Sequence, residues 1–173
     1  LEYGSGCCAE NVPRSLTGLQ RWVAKRTLGA SATAYSAAAL GDLGWPSMQL
    51  RREHALLRLW GAILAMPPER PARYVYDALV REGRRRSWTG RVETIARQWG
   101  LGNVWDTQAL PLRPSGAPDT DGRHWRECLR DAAKERACAQ WQADVTAAIP
   151  TSSIAREYAN WMHVPGGAPA MAM

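Results

Sequence analysis

Apolar positions along this chain recur at the three- and four-residue intervals of helices, and hardly any segment alternates as a strand does. Pro13 and Ser15 open the first predicted helix, with Ser15 as its cap and Gly29 as its stop after Leu28. Wound at ~100° per residue, that segment gathers Leu16, Leu19 and Val23 on one face. Arg14, Arg21 and Lys25 fall on the opposite face, with Trp22 at its flank. A short Ala-rich helix is expected from Ser36 to Leu43, before Gly44 and Trp45-Pro46.

The strongest pattern begins at Ser47, a predicted cap, and ends at Met66, where Pro67-Pro68 cannot continue the hydrogen-bond ladder. Leu50, Leu56, Leu57, Trp60, Ile63 and Leu64 cover over half of its circumference, so it is predicted to be the central core helix. Its polar strip holds Arg51, His54 and Arg58. A helix from Pro71 to Gly83 is predicted to pack through Val75, Tyr76 and Leu79. Ser87 then caps another carrying Val92, Ile95 and Trp99. Between Gly100 and Asp119 periodicity fades, and the run from Leu110 to Pro118 reads as an extended linker. Asp119 to Asp121 start a long helix reaching about residue 149. A last short one, capped by Ser152 or Ser153, carries Ile154, Tyr158 and Trp161.

The expected fold is therefore all-α, an irregular bundle of about five to seven helices. Residues 1–100 form a helical region, 101–118 a Pro/Gly-rich linker, 119–163 a C-terminal helical hairpin and 164–173 a flexible tail.

Composition adds a cationic bias. Of 22 basic residues only Lys25 and Lys134 are lysines, the formal charge is +6, and nine Trp accompany no Phe. Arginine suits bidentate phosphate recognition and stacking on bases. GC-rich coding yields the same bias without selection, so charge supports a polyanion partner only modestly. The stripe Arg14, Arg21 and Lys25 with Trp22, the strip positions Arg51 and Arg58, and the run Arg84-Arg85-Arg86 are the candidate nucleic-acid contacts; each also reads as an ordinary solvated face or turn. Trp60, Trp99 and Trp125 read as core.

The usual catalytic motifs are missing: no phosphate-binding Gly-rich loop ending in Lys-Ser/Thr, no H-E-x-x-H and no nucleophile elbow. Ser5, between Gly4 and Gly6, has no base near it in sequence. His124, Glu127, Cys128, Asp131, Glu135 and Cys138 wind onto one side of the long C-terminal helix, but a lone helix supplies too few convergent metal ligands, and a solvated face is the expectation. Asp119-Thr120-Asp121-Gly122 lacks the later ligands of a calcium loop and reads as a helix cap. No catalytic residue, metal or cofactor is expected of this chain. The four cysteines show no framework spacing, which favours a reducing, intracellular setting, cytoplasmic or nuclear. No stretch approaches the ~20 apolar residues of a membrane span. Leu1 is neither an initiator Met nor the start of a signal peptide, and further chain is expected upstream.

Several short elements, taken in order, resemble the region after the polymerase core in non-LTR retrotransposon reverse transcriptases. Leu1-Glu2-Tyr3-Gly4 looks like that family's L-x-Y-G element, and Leu28-Gly29 like its "LG" stop. Leu40-Gly41-Asp42-Leu43-Gly44-Trp45 is similar to its "ElGw" turn, before Arg51-Arg52, Trp60 and Met66-Pro67. Ser153-Ile154-Ala155-Arg156-Glu157-Tyr158 is similar, less closely, to "S-x-L-R-x-Y". Gly6 and Cys8 depart from the acidic residue and Trp the family usually carries there. The resemblance implies thumb-end and post-thumb helices that support the polymerase domain of the same polypeptide and hold RNA or DNA template–primer. It also places the catalytic Y-x-D-D aspartates of the RNA-directed DNA polymerase upstream of Leu1 and any zinc segment downstream. The competing expectation is a helical protein–protein interaction module with no nucleic-acid role.

Overall fold

The computed structural model describes residues 12–83, 87–148 and 150–162; the expected contacts at Arg84, Arg85 and Arg86, the L-x-Y-G element and the tail at 164–173 lie outside the described residues. The fold is all-α, with eight helices and no strand among the described residues: α1 (Arg14–Thr27), α2 (Ser36–Asp42), α3 (Met48–Leu64), α4 (Pro71–Glu82), α5 (Trp88–Gln98), α6 (Gly102–Thr107), α7 (Arg123–Ala148) and α8 (Ser153–Met162). None of these helices is long and apolar enough to cross a membrane.

The punctuation residues explain most boundaries. Ser47 Oγ accepts from the Leu50 amide at 3.2 Å, Ser87 Oγ from Gly90 at 3.2 Å and Ser152 Oγ from Ala155 at 3.2 Å, each satisfying a first-turn N–H. Gly83 ends α4 in the left-handed conformation, at φ 65°. Two expectations need correction. Ser15 does not cap α1, because the helix starts at Arg14 after the N-cap Pro13 and Ser15 already lies inside its first turn. The stretch after Gly100 is not wholly irregular: α6 forms there and brings the described helices to eight, above the five to seven expected, because six residues are too few to show a period.

The described residues divide into two compact units, one within Arg52–Ala132 and the other within Val12–Arg51 together with Ala133–Met162. In the first, the central unit, tryptophans make the core. Trp60 is fully buried, its ring 5.6 Å from Trp125 edge-on and 5.9 Å from Trp105. Its Nε1 donates to Tyr76 Oη at 2.9 Å, and that hydroxyl donates to Gln108 Oε1, so the polar tips buried with these rings are satisfied. Leu56, Leu57, Val92, Ile95 and Leu129 fill in around them. Trp99 is buried too, and its Nε1 donates to Glu53 Oε2 at 2.9 Å. Val75, expected inside, is 54% exposed; α4 buries Tyr76 and presents Val75 and Tyr74 to solvent.

The non-helical run before α7 is tied down. Arg113 N donates to Ala117 O at 2.9 Å, and Arg113 Nη2 reaches Asp121 Oδ1 at 2.6 Å. Asp119, buried, accepts from the His124 and Trp125 amides at 3.3 and 2.7 Å and so caps α7. Asp121 accepts from the Arg123 amide, which holds its carboxyl below the usual range, with Arg113 adding to the effect.

The second, terminal unit packs on small side chains: Ala24, Ala39, Ala133, Ala137, Ala155 and Ala159 are buried there, with Leu50 and Val145. Trp141 covers Gly41, and its Nε1 donates to Ala37 O at 3.1 Å. Tyr158 packs edge-on against Trp141 at 6.1 Å and donates to Asp42 Oδ1 at 2.9 Å. Burial, then the bond to Asp42, raises its phenol well above the ordinary value.

Candidate nucleic-acid interface

α1 lies in the terminal unit and carries Arg14, Arg21, Lys25 and Arg26 with no acidic residue. It ends in a left-handed turn: Gly29 has φ 64°, and the Ala30 amide donates back to Lys25 O at 2.9 Å. With the last carbonyls satisfied in this way, the cations of the final turn sit favourably at the negative end of the helix dipole.

The buried side of α1 differs from the one the apolar pattern predicts. Leu19 is 46% exposed, whereas Gln20 and Ala24 are buried. Burying an amide is tolerable only if its hydrogen bonds are made. Gln20 Nε2 donates to Pro46 O at 2.8 Å, and its Oε1 accepts from the Met48 amide at 3.1 Å, so this side chain also caps the start of α3. That pair of bonds fixes the rotation of α1 about its axis.

Rotation decides what faces solvent. At ~100° per residue, Trp22 points directly away from the Gln20–Ala24 side. It is 62% exposed, with Arg14, Arg21 and Lys25 along one edge and Arg26 and Leu19 along the other. Trp22 therefore lies at the centre of the exposed face, where the pattern alone places it at the flank. Arg14 and Arg21 are exposed; half-buried Lys25 donates from Nζ to Ala32 O at 2.8 Å. The charge of Arg21 reaches Tyr35, whose hydroxyl donates to Asp144 O; burial raises that phenol, with Asp144 adding and Arg21 opposing. Arg26 is the functional candidate that sequence reading missed. The absence of any acid along the whole helix is the signal that would have found it.

The remaining predicted contacts stand elsewhere. Arg51 is exposed on the part of α3 within the terminal unit, and Arg58 is exposed on its continuation in the central unit. Beside Arg58, His54 is stacked on Trp99 with ring centres 6.5 Å apart. Burial lowers its imidazole below the ordinary value, and the Arg58 charge lowers it further.

On α7, Cys128 Sγ lies 3.5 Å from His124 Nε2, and Glu127 Oε2 is 4.0 Å from His124 Nδ1. Burial raises the Cys128 thiol, the reverse of what an activated nucleophile needs. Among the described residues no three His, Cys, Asp or Glu side chains are placed to hold a metal ion. Trp60, Trp99 and Trp125, buried, offer no face to a base.

Comparison of the chain with protein-family models, with curated proteins and with solved structures yields no match in any of the three.

Proposed function

We propose that this chain is a non-catalytic helical region of a reverse transcriptase of the non-LTR retrotransposon type, which holds template–primer backbone through the exposed face of α1. One observation carries the binding half of this reading: a helix with four cations and no acid, turned by the Gln20 bonds so that Arg14, Arg21, Arg26 and Trp22 meet solvent. Cations on one face neutralise successive phosphates and release counterions, without reading sequence. The polymerase half rests on the ordered motifs: "LG" at the end of α1, "ElGw" around the end of α2 and "S-x-L-R-x-Y" along the first half of α8. On this reading the chain works inside the cell, its partners are RNA or DNA and the polymerase domain of the same polypeptide, and catalysis resides in that domain.

Filter-binding titration against primer–template duplex tests the proposal. Arg21→Glu with Lys25→Glu is expected to weaken binding at least tenfold at low salt, because two attractions become repulsions. Affinity unchanged by the reversal contradicts it.

A second reading, a protein–protein interaction module, draws on α8. Ile154 and Trp161, 52% and 66% exposed, lie seven residues apart on one stripe of that helix. It gains if the charge reversal on α1 has no effect.

A further inference from the structure

In the reading above the cations of α1 take phosphates, which leaves the helix's most exposed large apolar side chain without a role. An indole in water exposes a broad apolar surface, which soluble proteins place inside when packing allows. Trp60, Trp99 and Trp125 are buried, whereas Trp22 stands 62% exposed, with Leu19 beside it at 46%. Its position opposite the Gln20–Ala24 anchor means that no repacking of α1 hides it while those two bonds persist. Arg14, Arg21 and Lys25 on one edge and Arg26 on the other flank the ring with positive charge on both sides.

Resting on the nucleic-acid reading above, we propose that Trp22 is a stacking platform for an unpaired base, so that the α1 face takes single-stranded nucleic acid in preference to duplex. In a duplex the base faces are covered by their neighbours, and an indole rising from a cationic face meets only sugar and phosphate. In a single strand the base can turn onto the ring while its flanking phosphates stay on the arginines. From Arg14 to Arg26 the face covers roughly 18 Å of helix at 1.5 Å per residue, room for a few nucleotides. Stacking is open to every base, so the preference is for strandedness and not for sequence.

The test uses the full chain and three ligands: a short mixed-sequence single strand, the same sequence as blunt duplex, and an abasic strand carrying the same phosphates. The single strand is expected to bind most tightly. Trp22→Ala is expected to lower that affinity by roughly 5- to 150-fold, the range for loss of one base–aromatic stack. Trp22→Phe, which keeps a π face, retains most of it, and the abasic strand is indifferent to either change. Circular dichroism of each variant confirms the fold, which this exposed position does not support. Equal binding of single strand and duplex, or an equal effect of Trp22→Ala on all three ligands, overturns the stacking role and leaves backbone binding standing. Binding of none of the three by the wild-type chain overturns the nucleic-acid reading itself.

Discussion

The indole of Trp125 lies directly on Gly61, and its Nε1 donates to the Leu57 carbonyl at 3.2 Å. Leu57 is four residues before Gly61, so its carbonyl also faces the Gly61 amide in the helical ladder. The terminal unit repeats the device: Trp141 lies on Gly41, and its Nε1 donates to Ala37, again four residues earlier. In both places the missing Cβ lets a ring approach the helix backbone closely enough for its N–H to reach a carbonyl. A tryptophan's one polar atom is thereby satisfied without a polar partner side chain.

A methyl group at Gly61 would overlap that indole, which is itself held against Trp60. Overpacking at Gly61→Ala is expected to cost about 1–3 kcal/mol against the roughly 1 kcal/mol that alanine gains in helix propensity, a net loss of up to about 2 kcal/mol. Gly18 on α1 is the control, since a Cβ there meets nothing within 4 Å. Gly18→Ala is expected to raise stability by about 0.5–1 kcal/mol. Urea-unfolding midpoints read both, and a stabilised Gly61→Ala would show that the ring does not sit on that glycine.

Gln20 makes two backbone bonds that no apolar residue can replace. Gln20→Leu keeps the volume and leaves the Pro46 carbonyl and the Met48 amide unpaired, at an expected cost of about 1–3 kcal/mol. Gln20→Glu retains an acceptor for Met48 and loses the donor to Pro46, so an intermediate loss is expected. Equal stability of wild type and Gln20→Leu in denaturant titration would contradict the anchoring role.

Acid sensitivity follows from His54. Burial first and Arg58 second hold its folded-state value below the ordinary ~6.5. The unfolded chain therefore takes up the proton more readily. Stability is full above about pH 6.5 and falls as the pH drops through the lowered folded value. His54→Gln is expected to flatten this limb of the stability–pH curve. Arg58→Gln is expected to raise the His54 titration midpoint in NMR, and a midpoint unmoved by that change would contradict the assigned cause.

Helix ends were readable because their signals are local. Ser47, Ser87, Gly83 and the pair Pro67-Pro68 act within one turn of their own position. Asp119 was legible as a cap for the same reason. Partners far along the chain were not. Gln20 outcompetes Leu19 for the inside of α1 only because Pro46 and Met48 stand where its amide can reach them. Gly61 reads as a propensity defect until Trp125 is laid on it from across 64 residues. The basic stripe of α1 was legible at helical spacing. Trp22's place at its centre depended on the Gln20 rotation, and Arg26, across Trp22 from the stripe, joins the face only once that rotation is set.

If the α1 face holds nucleic acid through its phosphates, as proposed, its affinity must depend on salt. Log affinity for primer–template duplex, plotted against log salt concentration, is expected to fall with a slope of roughly −0.9 per phosphate neutralised, up to roughly −3.6 for the four cations of α1. With Arg21→Glu and Lys25→Glu the slope is expected to shrink by about 2. A slope near zero in the wild type, or the same slope in wild type and variant, would contradict the account.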